Sequence, residues 1–94
     1  MRVKRIILLD DVVDKLRRKH NVEIEEVIEV FESNPKFRRG PKGKRLGEDL
    51  YYALGQTLAG RYLFIVFILK RDRKALVLSA RDMDARERRW FERK

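Results

Sequence analysis

A chain of 94 residues holds one folded domain, residues 1–94, and is too short for a second hydrophobic core. Its 24 Lys and Arg against 15 Asp and Glu give a net charge of +9, which favours nucleic acid or an acidic protein as the partner. The sequence has no cysteine and one histidine, which excludes disulfides, thiolate catalysis, Cys-based zinc sites and a two-imidazole acid/base pair.

The first third of the chain predicts a short strand and two helices. Residues 3–9 are rich in aliphatic side chains and end at Asp10, as expected for a strand that leads into a helix. Apolar side chains then recur at helical spacing up to His20, and again from Ile24 to Phe31. Asn21 lies between the two patterns and tolerates a left-handed backbone, so we expect the two helices to meet there.

The middle of the chain changes character after Asn34 and Pro35, which end the second helix. Residues 36–47 contain six basic side chains, three glycines and one proline but no acid, and predict an edge strand that runs into a cationic loop. Residues 50–57, 61–69 and 74–80 predict three further strands joined by short turns, and therefore an antiparallel meander.

The strand predicted for residues 61–69 is apolar on both of its faces, so both faces of the sheet need cover. At the C-terminus, Asp84 and Glu87 have the spacing of a capping box and begin a helix that carries Trp90 and Phe91. The expected fold is α+β: two N-terminal helices on an antiparallel sheet of four to five strands, with a C-terminal helix at an edge or against a partner.

Membrane and export segments are not expected. The longest uncharged run, residues 62–69, is far shorter than the roughly 20 residues that a membrane-spanning helix needs. The N-terminus also lacks the pattern of a signal peptide. The sequence therefore predicts a cytoplasmic protein.

Several blocks resemble a known family. Residues 78–81 read Leu-Ser-Ala-Arg, and they are followed by Glu87, Arg88 and the aromatic pair Trp90 and Phe91. Residues 19–22, Lys-His-Asn-Val, precede a helix with Glu26, Val30 and Phe31. These blocks are similar to those of the BrnT toxins of type II toxin-antitoxin systems, which belong to the RelE-like ribonuclease superfamily.

The resemblance implies a RelE-like fold and a toxin that cleaves RNA and is neutralised by a cognate antitoxin. RelE-like ribonucleases use the ribose 2′-hydroxyl as nucleophile, so the resemblance also implies an endoribonuclease with no metal or cofactor. The chain has Phe91 where the family usually has Tyr and therefore lacks that phenol. The alternative is a non-catalytic module, a degenerate toxin that binds nucleic acid or another protein.

Arg81, His20 and Glu48 are the predicted catalytic residues. Arginine suits a phosphorane because its planar fork binds two phosphate oxygens and stays charged. The alternative for Arg81 is an ion pair with Glu87. The imidazole of His20 is a group that can act as a general acid or base, but the position of His20 on the apolar stripe of its helix also fits a structural histidine. Glu48 is a base only if it approaches the cations.

The remaining predicted sites concern RNA and protein partners. The candidate RNA and phosphate contacts, each with an ordinary surface or packing role as its alternative, are Lys19, Lys42, Lys44, Arg45, Arg61 and Tyr52. Trp90 and Phe91 point about 100° apart on their helix, so one is expected to dock on the sheet and the other to bind a partner. The expected assemblies are a homodimer or a toxin-antitoxin hetero-oligomer.

Overall fold

The computed structural model describes residues 1–41 and 49–93, in which three helices flank a five-stranded sheet. The strands are β1 (Arg5–Ile7), β2 (Lys36–Arg39), β3 (Asp49–Gln56), β4 (Tyr62–Lys70) and β5 (Lys74–Asp82). The helices are α1 (Asp10–His20), α2 (Ile24–Glu32) and α3 (Ala85–Glu92). The α+β fold class predicted from the sequence is confirmed.

The strand order in the sheet is β1-β5-β4-β3-β2. The strands from β2 to β5 are antiparallel neighbours, and the short turns predict this arrangement for β3, β4 and β5. At the far edge, β1 runs parallel to β5, with Arg5 opposite Lys74. The sheet is therefore mixed, and the expectation of a purely antiparallel sheet is wrong. A parallel pair needs a long crossover connection, which no local turn pattern in the sequence predicts.

The corner between α1 and α2 is built on Asn21. This residue has a left-handed backbone, with φ 53° and ψ 41°. Its N–H donates to the Arg17 carbonyl at 3.2 Å, and the next N–H, of Val22, donates to the Leu16 carbonyl at 3.0 Å. Asparagine adopts this conformation more readily than most side chains, so the predicted helix junction is confirmed.

The main core lies between the sheet and the two N-terminal helices. Its fully buried members include Leu16 of α1, Val27 and Val30 of α2, and Ile65 and Phe67 of β4. These side chains come from the apolar stripes of the helices and from alternate positions of the strand. The helices α1 and α2 therefore cover one face of the sheet, which we call the inner face.

The third helix lies against the opposite face, which we call the outer face. Its N-terminus carries the predicted capping box: the Glu87 N–H donates to Asp84 Oδ1 at 2.8 Å, and the Asp84 N–H donates to Glu87 Oε1 at 2.9 Å. Near its C-terminus, the Phe91 ring meets the Tyr62 ring edge-on, 6.0 Å away. This helix covers only part of the outer face.

Candidate functional site

The two faces of the sheet separate the neighbouring tyrosines of β3. The Tyr51 ring stacks on the core residue Phe67, with ring centres 6.0 Å apart, so it belongs to the inner face. The Tyr52 ring packs against Phe64 with ring centres 4.8 Å apart. Because successive strand residues point to opposite faces, Tyr52 belongs to the outer face. The two neighbouring tyrosines therefore lie on opposite faces of the sheet.

An open hollow of about 1430 Å³, which we call the outer hollow, lies between the outer face and α3. Its floor is apolar and consists of Leu50, Tyr52, Leu54, Phe64 and Val66. The rest of its lining is Trp90, the arginines Arg38, Arg81, Arg86, Arg89 and Arg93, and the acids Asp84, Glu87 and Glu92. The charged lining is therefore predominantly basic.

Arg81 is fixed at the end of β5, beside the floor. Its strand position pairs with Phe64, and its guanidinium carbon lies 4.4 Å from the centre of the Phe64 ring. Nη1 and Nη2 donate to the two carboxylate oxygens of Glu87, each at 2.8 Å. Nη1 also donates to the Asp82 carbonyl at 3.0 Å. This set of contacts holds the guanidinium in one orientation.

The ion pair leaves part of Arg81 available to a ligand. A guanidinium has five N–H groups in a rigid fork, and three of those of Arg81 are used by Glu87 and Asp82. Within residues 1–41 and 49–93, no group accepts from Nε or from the second N–H of Nη2. These two N–H groups form one edge, the edge that binds two phosphate oxygens side by side. The predicted ion pair and an accessible Arg81 therefore coexist, because 40% of this side chain is exposed.

Glu87 is an anchor for Arg81. The hydrogen bond from Arg81 lowers the pKa of Glu87, an effect that burial of the carboxylate opposes. The same hydrogen bond raises the pKa of Arg81. Both groups are therefore ionised at neutral pH, and a carboxylate with a lowered pKa is a weak proton acceptor. Glu87 consequently serves to orient Arg81 and is poorly suited to act as a general base.

Arg61 differs from Arg81 because all five of its N–H groups are used within the protein. Nε and Nη2 donate to the Asp82 carboxylate at 2.7 and 3.3 Å. Nη1 donates to the Asn21 carbonyl at 2.7 Å and to Glu26 Oε1 at 3.1 Å, and Nη2 also donates to the His20 carbonyl at 2.9 Å. Arg61 therefore ties the α1–α2 corner to the sheet. Its predicted phosphate contact stays a prediction.

His20 is the one other predicted catalytic residue that the structure describes, and it is not brought to Arg81. His20 and Lys19 are at the end of α1, which packs on the inner face, and among the described residues neither one lines the outer hollow. Glu48 lies outside the described residues, as do three of the predicted phosphate contacts, Lys42, Lys44 and Arg45. Of the predicted RNA contacts, Tyr52 is the one placed beside Arg81.

Four arginines of the outer hollow were missed in the sequence analysis, although the sequence contains signals for them. Arg38 follows Phe37, whose ring packs against Phe67 of the core 6.0 Å away, so strand alternation directs Arg38 to the outer face. The remaining three, Arg86, Arg89 and Arg93, share a helical stripe with Trp90, since their spacing is three or four residues.

The aromatic pair of α3 packs against the protein's own sheet. Trp90 lines the outer hollow, with the guanidinium carbon of Arg38 5.4 Å from its ring centre and the Lys36 ammonium 5.8 Å away. Phe91 contacts Tyr62 and lies 5.7 Å from the same ammonium. The partner-binding role expected for Trp90 or Phe91 stays a prediction.

Comparison with known proteins gives the family. Residues 11–87 match the family described as "Ribonuclease toxin, BrnT, of type II toxin-antitoxin system". The chain belongs to the BrnT family. BrnT membership implies RNA as the substrate and an antitoxin as the partner. No curated protein matches the chain.

The BrnT match includes the floor of the outer hollow and most of its charged lining. Arg38, Arg81 and Glu87 all lie within residues 11–87, whereas Trp90 and Arg93 follow them. Across the described residues, no three His, Cys, Asp or Glu side chains are grouped to hold a metal ion. In the same residues, each helix is too short or too polar to span a lipid bilayer.

Proposed function

We propose that the outer hollow is the active site of this ribonuclease toxin, and that Arg81 stabilises the phosphorane during RNA cleavage. The observation that carries this proposal is the free edge of the Arg81 guanidinium at the floor of a basic hollow. Two parallel N–H groups on such an edge match two oxygens of a phosphate. Arg81 is thus oriented by the protein and still able to bind its substrate.

The proposed reaction uses a nucleophile from the substrate. The ribose 2′-oxygen attacks the phosphorus atom, the bond from phosphorus to the 5′-oxygen breaks, and the products are a 2′,3′-cyclic phosphate and a 5′-hydroxyl. The 2′-hydroxyl loses a proton and the leaving 5′-oxygen gains one. Glu48 remains the proposed carrier of one of these protons, whereas a role for His20, which does not line the outer hollow, stays a prediction. The negative charge that develops on the phosphorane is opposed by the fixed positive charge of Arg81.

Preorganisation is what the surroundings of Arg81 contribute. Glu87 holds two of its nitrogen atoms, and Phe64 lies against the guanidinium, so the free edge keeps its direction before substrate binds. Donors that are already aligned need no reorganisation in the transition state. Glu87 and Phe64 are therefore proposed as positioning residues, and Tyr52 as a surface on which a base stacks.

Metal-independent cleavage is the first expected property. In this proposal the positive charge at the phosphate comes from arginine, so the purified protein should cleave RNA in the presence of excess EDTA. The substrate is a short labelled RNA, and the products are analysed for 2′,3′-cyclic phosphate ends. Cleavage that stops with EDTA and resumes with added Mg²⁺ would contradict this part of the proposal.

A substrate that lacks the nucleophile provides the second test. Replacing the 2′-hydroxyl at the cleaved position by hydrogen should abolish cleavage at that bond, whereas the same replacement one nucleotide away should leave it cleavable. If both substrates are cleaved equally, an external nucleophile such as water is used and the mechanism is wrong. If the protein cleaves neither the unmodified RNA nor either substituted substrate, the non-catalytic alternative is favoured.

The cognate antitoxin is proposed to cover the outer hollow with acidic side chains. The basic lining of the hollow is complementary to carboxylates, and occlusion of Arg81 would exclude RNA. RNA and antitoxin should therefore compete for the protein, which a displacement titration with a labelled non-cleavable RNA measures. Simultaneous binding of both would contradict the proposal.

A further inference from the structure

Arg38 is the second arginine whose guanidinium lies over an aromatic ring of the outer hollow. Its guanidinium carbon is 5.4 Å from the centre of the Trp90 ring, comparable to the 4.4 Å between Arg81 and Phe64. This distance is within the range of a cation–π contact, which uses none of the N–H groups of the guanidinium as hydrogen-bond donors to a carboxylate. Among the described residues, no carboxylate lies within salt-bridge distance of Arg38. Arg38 is therefore oriented by a ring and open to an anion.

Arg38 and Arg81 stand on opposite sides of the floor. Arg38 is on β2 and Arg81 is on β5, so three inter-strand spacings separate them, roughly 14 Å. Arg38 pairs with Tyr52, which in turn pairs with Val66, whereas Arg81 pairs with Phe64. Phe64 and Val66 are two residues apart on β4, which adds a step of roughly 7 Å along the strands. These spacings separate the Cα atoms of the two arginines by more than the distance between consecutive phosphates of a single RNA strand.

The surface between the two arginines is apolar and aromatic. Tyr52, Leu54 and Phe64 occupy it, and none of these three side chains carries a charge that would bind a phosphate. A base that is no longer stacked on its neighbours buries an apolar face, and aromatic side chains are the usual partners of such bases. The floor therefore suits an unstacked base from the stretch of RNA that lies between two bound, non-adjacent phosphates.

We propose that Arg38 and Trp90 form a second phosphate subsite, and that the protein binds single-stranded RNA through two non-adjacent phosphates with an unstacked base on the floor between them. The proposal rests on the proposed function, because Arg81 is taken to bind the phosphate that is cleaved. An RNA duplex keeps its bases paired and stacked, so it cannot place one on the floor. Unpaired RNA is consequently the substrate class.

Chain length separates the two subsites in an experiment. A dinucleotide with one phosphate can contact only one of the two arginines, whereas a tetranucleotide with three phosphates can reach both. Both are prepared with 2′-fluoro groups so that they bind without being cleaved, and fluorescence anisotropy gives the Kd of each. The wild-type protein should bind the tetranucleotide more tightly, and the ratio of the two Kd values measures the second subsite.

Arg38→Ala and Arg39→Ala are the matched pair of variants. Both remove one positive charge from the same edge strand, but Arg39 contacts Asp49 at 3.2 Å and Tyr51 on the inner face. Arg38→Ala should weaken tetranucleotide binding by about 10-fold or more and lower the slope of log K against log salt concentration by about 0.7. Arg39→Ala should change the ratio of the Kd values little. Arg38→Gln, which keeps most of the side chain, should behave like Arg38→Ala.

Each outcome bears on one proposal. If Arg38→Ala and Arg39→Ala weaken both oligonucleotides equally, or if the wild-type protein binds both lengths equally, the second subsite is overturned even when RNA is cleaved. If a hairpin duplex binds as tightly as the tetranucleotide, the single-strand assignment is wrong. If the length effect depends on Arg38 while no RNA is cleaved by any variant, the subsite is supported and the proposed cleavage fails.

Discussion

Arg61 and Arg81 stand on the two sides of the same sheet and are used in different ways. Arg61 joins the α1–α2 corner to the sheet, and every one of its N–H groups has a partner in the protein. Arg81 lines the outer hollow, has one carboxylate partner, and has one edge without an acceptor among the described residues. Both are in ion pairs, so the presence of an ion pair does not distinguish a structural arginine from one that can bind a ligand.

The two arginines differ in how many N–H donors remain without an acceptor once the ion pair has formed. A guanidinium whose five donors are all satisfied gains nothing from a phosphate and would lose existing contacts to bind one. A guanidinium held by one bidentate carboxylate is both oriented and incompletely satisfied. We therefore expect Arg61 to contribute to stability and, under the proposed function, Arg81 to bind the substrate, so mutation of each should affect a different measurement.

Replacement of Arg81 should have the largest effect. Arg81→Ala is expected to lower the rate of RNA cleavage about 100- to 1000-fold, the usual effect of losing one transition-state donor. Arg81→Lys should remain strongly impaired, because an ammonium has a point charge without the bidentate edge. Single-turnover cleavage of a labelled RNA measures both. Cleavage by Arg81→Ala at the wild-type rate would refute the assignment.

Replacement of Arg61 should reduce stability instead. Arg61→Ala removes the ion pair of the partly buried Glu26 carboxylate, which keeps its bond from the Glu23 N–H, and removes the donor to the carbonyls of His20 and Asn21. The expected loss is about 2 to 4 kcal/mol in the free energy of unfolding, measured by urea denaturation. Arg17→Ala is the control, because its ion pair with Glu23 is half exposed and should contribute less than about 1 kcal/mol.

A stability loss confined to Arg61→Ala would sharpen the comparison. Equal losses for Arg61→Ala and Arg17→Ala would show that the network around Arg61 contributes no more than a surface pair. A large loss for Arg81→Ala would show that the outer face also depends on its arginine for folding. In that case, the cleavage rates of the variants would have to be compared at equal concentrations of folded protein.

The adjacent tyrosines of β3 extend the comparison to uncharged residues. Tyr52→Ala should weaken RNA binding by about 1 to 3 kcal/mol, since a base loses its stacking partner. Tyr51→Ala should leave RNA affinity nearly unchanged and lower the unfolding free energy, because its ring packs on Phe67 in the core. Anisotropy with non-cleavable RNA and urea denaturation measure the two effects. The reverse assignment of effects would contradict the division of the sheet into two faces.

Most of the fold could be predicted because its signals are local. The helix junction depends on Asn21, the third helix on the capping box of Asp84 and Glu87, and the antiparallel strands on short turns. The parallel pair of β1 and β5 could not be predicted in this way. Its two strands are separated by both N-terminal helices and three other strands, and no local pattern reports such a pairing.

The site was only partly predictable, for a related reason. Arg81 and Tyr52 were named from the sequence, and the structure places them in one hollow. His20 has an imidazole, as many catalytic residues do, but its helix packs on the inner face. The chemistry of a side chain does not indicate on which face of the sheet it lies. Arg38 was not predicted as a site residue, because in the sequence it is one of several basic residues in a row. Its alternation with Phe37 nevertheless assigns it to the outer face.

The smallest expected effect concerns the pH dependence of stability. The pKa of Glu87 is lower in the folded protein than in the unfolded chain, chiefly because Arg81 donates to it, so the ion pair stabilises the fold above the unfolded-state value of about 4.3. This stabilisation is lost as the pH falls through the folded-state pKa. Glu87→Gln should therefore be less stable than the wild-type protein at pH 7, and the difference should shrink below about pH 4. Urea midpoints across this range test it, with the half-exposed Glu92→Gln as control. A difference that stays constant with pH would mean that Arg81 is not held by an ionised Glu87.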